Sequence, residues 1–458
     1  MTTPLRVAII GAGPAGIYAG NILTRSAAEA GHEVAIDLFD TLPAPYGLIR
    51  YGVAPDHPRI KGIVGSLHEM LDAGTIRFLG NVTYGVDLGL DDLRAHYHGV
   101  IFATGAIRDA RLDIPGIDLP GSYGAADFVS WYDGHPDVPT TWPLDATDIA
   151  VIGNGNVALD VARVLAKHPL DLLPTDIPAT VHAGLEGSPV TDVHVFGRRG
   201  PAQVKFTPIE LRELGDIPDV DIVVYPEDFE SPEAEAARVA GGSNQQKIMT
   251  RTLRGWLDRE PTGASRRLHL HFLHSPLEIY GDGRVEGMRF ARTALSDDGS
   301  LRETGEIVDY PLQAVYRAVG YLGSALPEVP FDEARGVIGN AEGRVLGPEA
   351  QGLYVTGWIK RGPVGLIGHT KSDAAETVSH LLADIDSLLD REVDDSDMLE
   401  VLDARGIRFT SWDGWLALDA HERALGEADV SAVVRERVKV VPRHEHVEIA
   451  RGAAVSAP

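Results

Sequence analysis

The 458-residue chain contains no cysteine. That absence removes disulfides, thiolate metal sites, a dithiol redox centre and cysteine-held iron–sulfur clusters together. Basic side chains are scarce, 41 against 67 acidic ones, and the formal net charge of −26 disfavours nonspecific binding to nucleic acid. An acidic partner would have to find a local basic patch. Long apolar runs are missing as well, and no window reaches the roughly 20 uncharged residues of a membrane helix. The apolar start lacks a basic leader and a convincing cleavage site, and its glycines fall at loop spacing, so a cytoplasmic location is expected.

Glycine, in contrast, is abundant at 50 residues, which implies many places where backbone turns with positive φ or passes close to a ligand. The length exceeds what one core usually organises, so two domains, or one with a large insertion, are expected. The first glycines lie in "VAIIGAGPAGIYAG", where Gly11, Gly13 and Gly16 form G-x-G-x-x-G between a β-branched strand and a helical run. The next strand, "EVAIDLFD", ends at Asp40. Glycines at this spacing let backbone approach a pyrophosphate, and the carboxylate can hold ribose hydroxyls. This is the pattern of a dinucleotide site.

A second unit repeats the first. "DIAVIGNGNVALDVAR" carries Gly153, Gly155 and Ala158, the G-x-G-x-x-A variant, again between strand and helix. Its following strand ends in Arg198-Arg199 rather than a carboxylate. Guanidinium groups there clamp a 2'-phosphate, the solution for NADP rather than NAD. One chain with two such loops, the second suited to NADP, holds a flavin dinucleotide in the first and brings nicotinamide with the second. The first loop is the FAD candidate because Asp40 lacks a phosphate clamp.

Two histidine pairs stand out: His269 with His271 in "LHLHF", and His444 with His446 in "RHEHVE". Neither pair has a third ligand at an evident spacing, so solvated side chains and no metal site are expected. His57 lies in "VAPDHP", a loop constrained by prolines.

The stretches "GLIRYGVAPDHP", "GNGNVALDVAR", "GRRGP", "FTPIELRE" and "GWIKRGPVGLIG" together resemble the adrenodoxin reductase family of NADPH:ferredoxin reductases, including its actinobacterial members, over nearly the whole chain and in order. The resemblance implies FAD contacts at Ala15, Asp40, Leu48, Val82, Trp358, Gly365, Leu366 and Ile367. It implies NADP contacts at Asn154, Gly155, Asn156, Val157, Arg198, Arg199 and Glu210, with Gly365 touching both cofactors. His57 and Glu213 match residues that the family places near the flavin and associates with proton handling, and they are the catalytic candidates. Asp40 stands where relatives often carry glutamate, and Ala110, flanked by Arg108 and Arg111, stands where the family has an arginine, so that NADP contact stays unassigned.

The expected fold is α/β, with two Rossmann-like dinucleotide-binding domains. An FAD domain, 1–107 and 323–458, would be interrupted by an NADP domain, 108–322. The expected reaction passes a hydride from NADPH to FAD and then single electrons to a ferredoxin. Acidic ferredoxins would dock on a basic patch for which Lys205, Arg212, Arg251 and Arg254 are candidates, the last two three residues apart on a helix. Alternatives are an NADPH oxidase or monooxygenase with oxygen as acceptor, and a non-catalytic NADP-binding module.

Overall fold

A computed structural model describes residues 4–296, 298–365, 367–429 and 433–454. It divides into two compact units. The first comprises Met1–Arg108, Asp133–Asp137 and Tyr321–Pro458; the second comprises Asp109–Tyr132 and Val138–Gly320.

The sheet of the first unit runs, edge to edge, through Asn340–Ala341, Arg344–Val345, Leu353–Val355, Gly99–Phe102, Leu5–Ile10, Val34–Phe39 and Arg77–Leu79. Its last five strands are parallel, with Val7 opposite both Gly99 and Ile36. A parallel sheet covered on both faces needs near-continuous apolar strands. The opening strand supplies them, for Val7, Ala8 and Ile9 have no solvent exposure. Truncating Ile9 to alanine costs about 2–5 kcal/mol. Helix Pro14–Glu29 follows directly, with proline at its first position, where the missing N–H costs nothing. It packs against helix Ile367–Ala383 from the other end of the chain.

A buried ion network ties the remaining pieces to this unit. Arg50 donates to both oxygens of Glu422, at 3.0 and 2.5 Å. Lys439 donates to the carbonyls of Arg50 and Asp133, at 2.8 and 3.0 Å. The second contact anchors the short return Asp133–Asp137, which no pattern in the sequence announces. Removing one partner of a buried charge pair typically costs about 3–5 kcal/mol.

The sheet of the second unit is parallel throughout, in the order Ser122–Gly124, Ala314–Arg317, Asp148–Ile152, Asp192–Phe196, Arg266–His271 and Val220–Val224. An antiparallel meander of His274–Tyr280, Gly287–Leu295 and Leu301–Pro311 is built onto it. Met288 and Phe290 of the meander join Ala150, Ile152, Phe196 and Val315 of the sheet in one core. Helix Asn156–Ala166 is buried at Ala158, Leu159 and Val161 through Ala166. Each unit therefore contains a strand, glycine turn and helix in succession, and the fold is α/β with two Rossmann-like units.

Candidate functional site

The glycines of the two turns divide into those that packing requires and those that it does not. A Cβ on Gly11 would lie 2.5 Å from Ala103 O, and one on Gly16 would lie 2.0 Å from Gly11 O. Both positions are closed by neighbouring backbone. At Gly13 the nearest atom to an added Cβ is 4.0 Å away, and φ −75°, ψ −179° suits any residue. Nothing among the described residues demands glycine there, so the open space above it has the character of a ligand cradle. The same division recurs in the second turn. A Cβ on Gly153 would meet Ala318 O at 2.2 Å, whereas Gly155, with φ −120° and ψ 177°, has nothing within 4 Å. Gly13 and Gly155 are each the N-cap of a helix, where the first N–H groups lack intrahelical partners and the dipole favours an anion.

Around these equivalent cradles the decoration differs. In the first, Asp40 Oδ2 accepts the N–H of Ala12 at 2.7 Å and Oδ1 that of Leu42 at 2.8 Å. The carboxylate thus braces the glycine turn, and its second lone pairs can accept ribose hydroxyls. Burial pushes its pKa up to about 6 against the pull of those N–H donors and of Arg443. In the second, Asn154 Nδ2 and Asn156 Oδ1 are buried with no hydrogen-bond partner among the described residues. Orphaned polar atoms inside a glycine turn fit a cradle made for a polar group. Arg198 and Arg199 follow strand Asp192–Phe196 with exposed side chains and no ion pair to any described residue. Val157 is half-buried in the first turn of the same helix.

The other expected site residues take varied positions. Ala15 is buried in the first turn of its helix, Val82 is buried, and Leu48 is half-buried at the start of the short helix Leu48–Tyr51. Trp358 is half-buried and opens helix Trp358–Arg361; Gly365 is exposed with φ +89°. Ile367 begins helix Ile367–Ala383, while Leu366 lies outside the described residues. His57 is buried and precedes helix Pro58–Lys61, which begins with proline. Glu213 is half-buried on helix Pro208–Gly215. Glu210 has a structural duty on that helix: its carboxylate accepts the N–H of Thr207 at 2.9 Å, one half of a capping box.

Two expectations require correction. His269 and His271 are 8% and 3% exposed, not solvated, because both faces of their sheet are covered. A third imidazole, His194, reaches them from the neighbouring parallel strand, and one ligand atom from each lies within 4.8 Å of the others. The rings of His194 and His269 stack at 4.2 Å and 9°. His269 spends Nε2 on Asp192 at 2.8 Å and Nδ1 on the Tyr225 hydroxyl at 2.7 Å. Lone pairs lie in ring planes, so parallel stacked rings do not converge on one ion, and the group forms a hydrogen-bonded stack. Desolvation pushes His194 down to about 3 and His274 to about 4. In the tail, His446 is buried and donates to Val440 O at 2.5 Å, whereas His444 remains exposed. The second correction concerns Arg254: its guanidinium bonds Glu235 at 2.7 Å and Glu230 O at 2.8 Å and lies over the Phe229 ring, so it holds the unit together.

Comparison with known proteins agrees with this geometry. The pyridine nucleotide-disulphide oxidoreductase family matches residues 5–173. NADPH-ferredoxin reductase FprA of Mycobacterium tuberculosis is 40% identical over 462 residues, covering 98% of this chain and 100% of the relative. The mitochondrial NADPH:adrenodoxin oxidoreductase of Arabidopsis thaliana is 36% identical, with 92% and 91% covered. The solved structure of M. tuberculosis FprA in complex with NADPH superposes with a TM-score of 0.93 at 39% identity, covering 98% of this chain and all of that one. Two glycine cradles in one chain, together with identity of this extent from end to end, place the protein in the adrenodoxin reductase family of NADPH:ferredoxin reductases.

Proposed function

We propose that the chain is an NADPH:ferredoxin oxidoreductase, with FAD seated in the first unit and NADPH in the second. The observation that carries the assignment is the pair of open cradles with opposite decoration: a carboxylate beside Gly13 and an arginine pair beyond Gly155. Bound FAD converts a two-electron hydride into single electrons. The residues' part is to bind and orient. The Gly13 turn and the backbone of Ala15 take the pyrophosphate, Asp40 accepts ribose hydroxyls, and Leu48, Val82, Trp358 and Gly365 enclose the rest of the flavin. The Gly155 turn, Asn154, Asn156 and Val157 receive the NADP pyrophosphate, and Arg198 and Arg199 hold its 2'-phosphate bidentately. His57 and Gly365 belong to the FAD-binding set of the first unit, and Glu210 and Glu213 to the NADP-binding set of the second. A cytoplasmic location belongs to the same reading.

For the iron–sulfur partner, the reading places docking on a basic, partly apolar surface of the second unit. Lys205, Arg212 and Arg251 are exposed there, and Lys247 joins Arg251 one helical turn away. Ile209 and Ile248, 48% and 42% exposed, supply apolar area between the charges. Helix Asn244–Gly255 packs on helix Pro208–Gly215, so these residues belong to neighbouring elements. Against a net charge of −26, such a patch gives an acidic ferredoxin a local landing place. The test is NADPH-dependent cytochrome c reduction with and without a ferredoxin. A rate that rises with ferredoxin supports the proposal; electrons delivered only to oxygen overturn it.

A further inference from the structure

The strand Leu353–Val355 runs into a turn whose geometry is set from a distance. Gly357 has φ +76° and ψ −151°, a conformation that glycine alone adopts without strain. A Cβ on it would lie 2.6 Å from the Cβ of Ala15, so the turn presses on the helix that begins the first cradle. Trp358 is the next residue. What fixes this turn is Asp373, six residues into helix Ile367–Ala383 and only 8% exposed at its side chain. Its Oδ2 accepts the Gly357 N–H at 2.5 Å and the Thr356 hydroxyl at 3.4 Å, and its Oδ1 meets the Lys360 ammonium at 2.9 Å. Arg361 Nε lies 3.7 Å away. Lys360, 6% exposed, is shared with Glu376 at 2.5 Å, and its carbonyl accepts Asn340 Nδ2 at 3.1 Å. One carboxylate thereby engages four of the six residues from Thr356 to Arg361.

We propose that Asp373 is a positioning residue for the flavin: through the Gly357 N–H and Lys360 it holds Trp358 against the first cradle. The inference rests on the reading that the Trp358 loop faces FAD. Charge is essential to the design, because a carboxylate bonds a backbone N–H more strongly than a neutral amide does and also balances a buried ammonium. An asparagine of nearly the same shape keeps neither property.

The experiment compares Asp373→Asn with Asp384→Asn in the holoprotein. Asp384 lies just beyond the same helix and carries an equally elaborate set of partners, Arg344 at 2.7 and 2.9 Å and the Tyr354 hydroxyl at 2.9 Å, but it does not touch the turn. Each holoprotein is diluted and FAD release is followed by flavin fluorescence to give its affinity, and the visible spectrum and melting temperature are recorded. Asp373→Asn should weaken FAD binding about tenfold, one charge-assisted hydrogen bond's worth, and alter the bound flavin spectrum. Asp384→Asn should lower the melting temperature and leave affinity within twofold. If Asp373→Asn lowers the melting temperature while affinity and spectrum stay as in the wild type, Asp373 is merely structural and the proposal fails. Trp358→Ala separates this from the underlying reading: a spectrum indifferent to it overturns the placement of the loop at FAD. Should Asp373→Asn not fold, Lys360→Met is read instead, and an unchanged flavin spectrum there overturns the positioning role.

Discussion

The two cradles share backbone geometry and differ in what surrounds it. Gly13 and Gly155 are equally open, while Gly11 and Gly153 are equally closed by a carbonyl across the turn. A glycine turn alone therefore says only that a phosphate can approach. In the proposed assignment the identity of the cofactor comes from the neighbours: a buried carboxylate that braces the first turn, and two exposed guanidinium groups beyond the second. The first cradle is completed within the protein, Asp40 having both oxygens bonded, whereas the second keeps Asn154 and Asn156 with orphaned atoms. That contrast matches a cofactor held throughout turnover in the one case and a substrate that comes and goes in the other.

The largest effect expected is at Gly13. A Cβ there meets no packing obstacle, so Gly13→Val should fold and lose FAD almost completely, read as flavin released per chain on denaturation. Full flavin content in this variant would assign the first cradle to something else. Next comes the arginine pair. Replacing Arg198 or Arg199 by alanine removes a charge-assisted hydrogen bond of about 1.5–3 kcal/mol, a loss of about 10- to 150-fold in kcat/KM for NADPH with little change for NADH. Equal losses with both nucleotides would mean that the arginines serve the fold.

Its buried histidines should also make the second unit sensitive to acid. His194 and His274 stay neutral in the fold until pH nears about 3 and about 4, whereas the unfolded chain protonates them from about pH 6.5 downward. The unfolded state then binds more protons, so the second unit loses up to about 1.4 kcal/mol per histidine per pH unit below pH 6.5. Asp40 acts the other way in the apoprotein, as Asp109 and Asp228 do in the second unit, while His446 in the first unit acts as the histidines of the second do. The folded pKa of Asp40, near 6, exceeds the ordinary 3.8, so its contribution to the first unit grows as pH falls through that window. Amide hydrogen exchange at pH 7 and pH 5 should show protection lost first in strands Asp192–Phe196 and Arg266–His271. Preferential loss in the first unit would contradict this. The smallest effect is expected on the surface: Arg212→Glu should lower ferredoxin reduction severalfold at low salt and leave reduction of a small uncharged quinone intact, the difference shrinking above roughly 0.1 M salt.

Much of this was legible in the sequence where function is written locally. Each glycine turn, with the acidic or basic residue ending the next strand, fits in one continuous segment. What escaped depends on residues distant in the chain. His194 joins His269 only because their strands are parallel neighbours, and its own segment gives no sign of that. Arg254 looked free at helical spacing, but its partner Glu235 comes from the preceding helix. Asp373 was invisible because nothing in "KSDAAET" indicates that a turn at Gly357 would fold back onto it. The distinction between open and closed glycines likewise required knowing which carbonyl lies opposite.

The central claim, two independent cradles with distinct cofactors, is tested most directly by calorimetric titration of NADP+ into Gly13→Val and Gly155→Val. The account predicts that Gly13→Val, emptied of FAD, binds NADP+ within a few-fold of the wild type, while Gly155→Val retains its full FAD and binds NADP+ at least about tenfold more weakly. Loss of NADP+ binding in Gly13→Val with retention in Gly155→Val would contradict it.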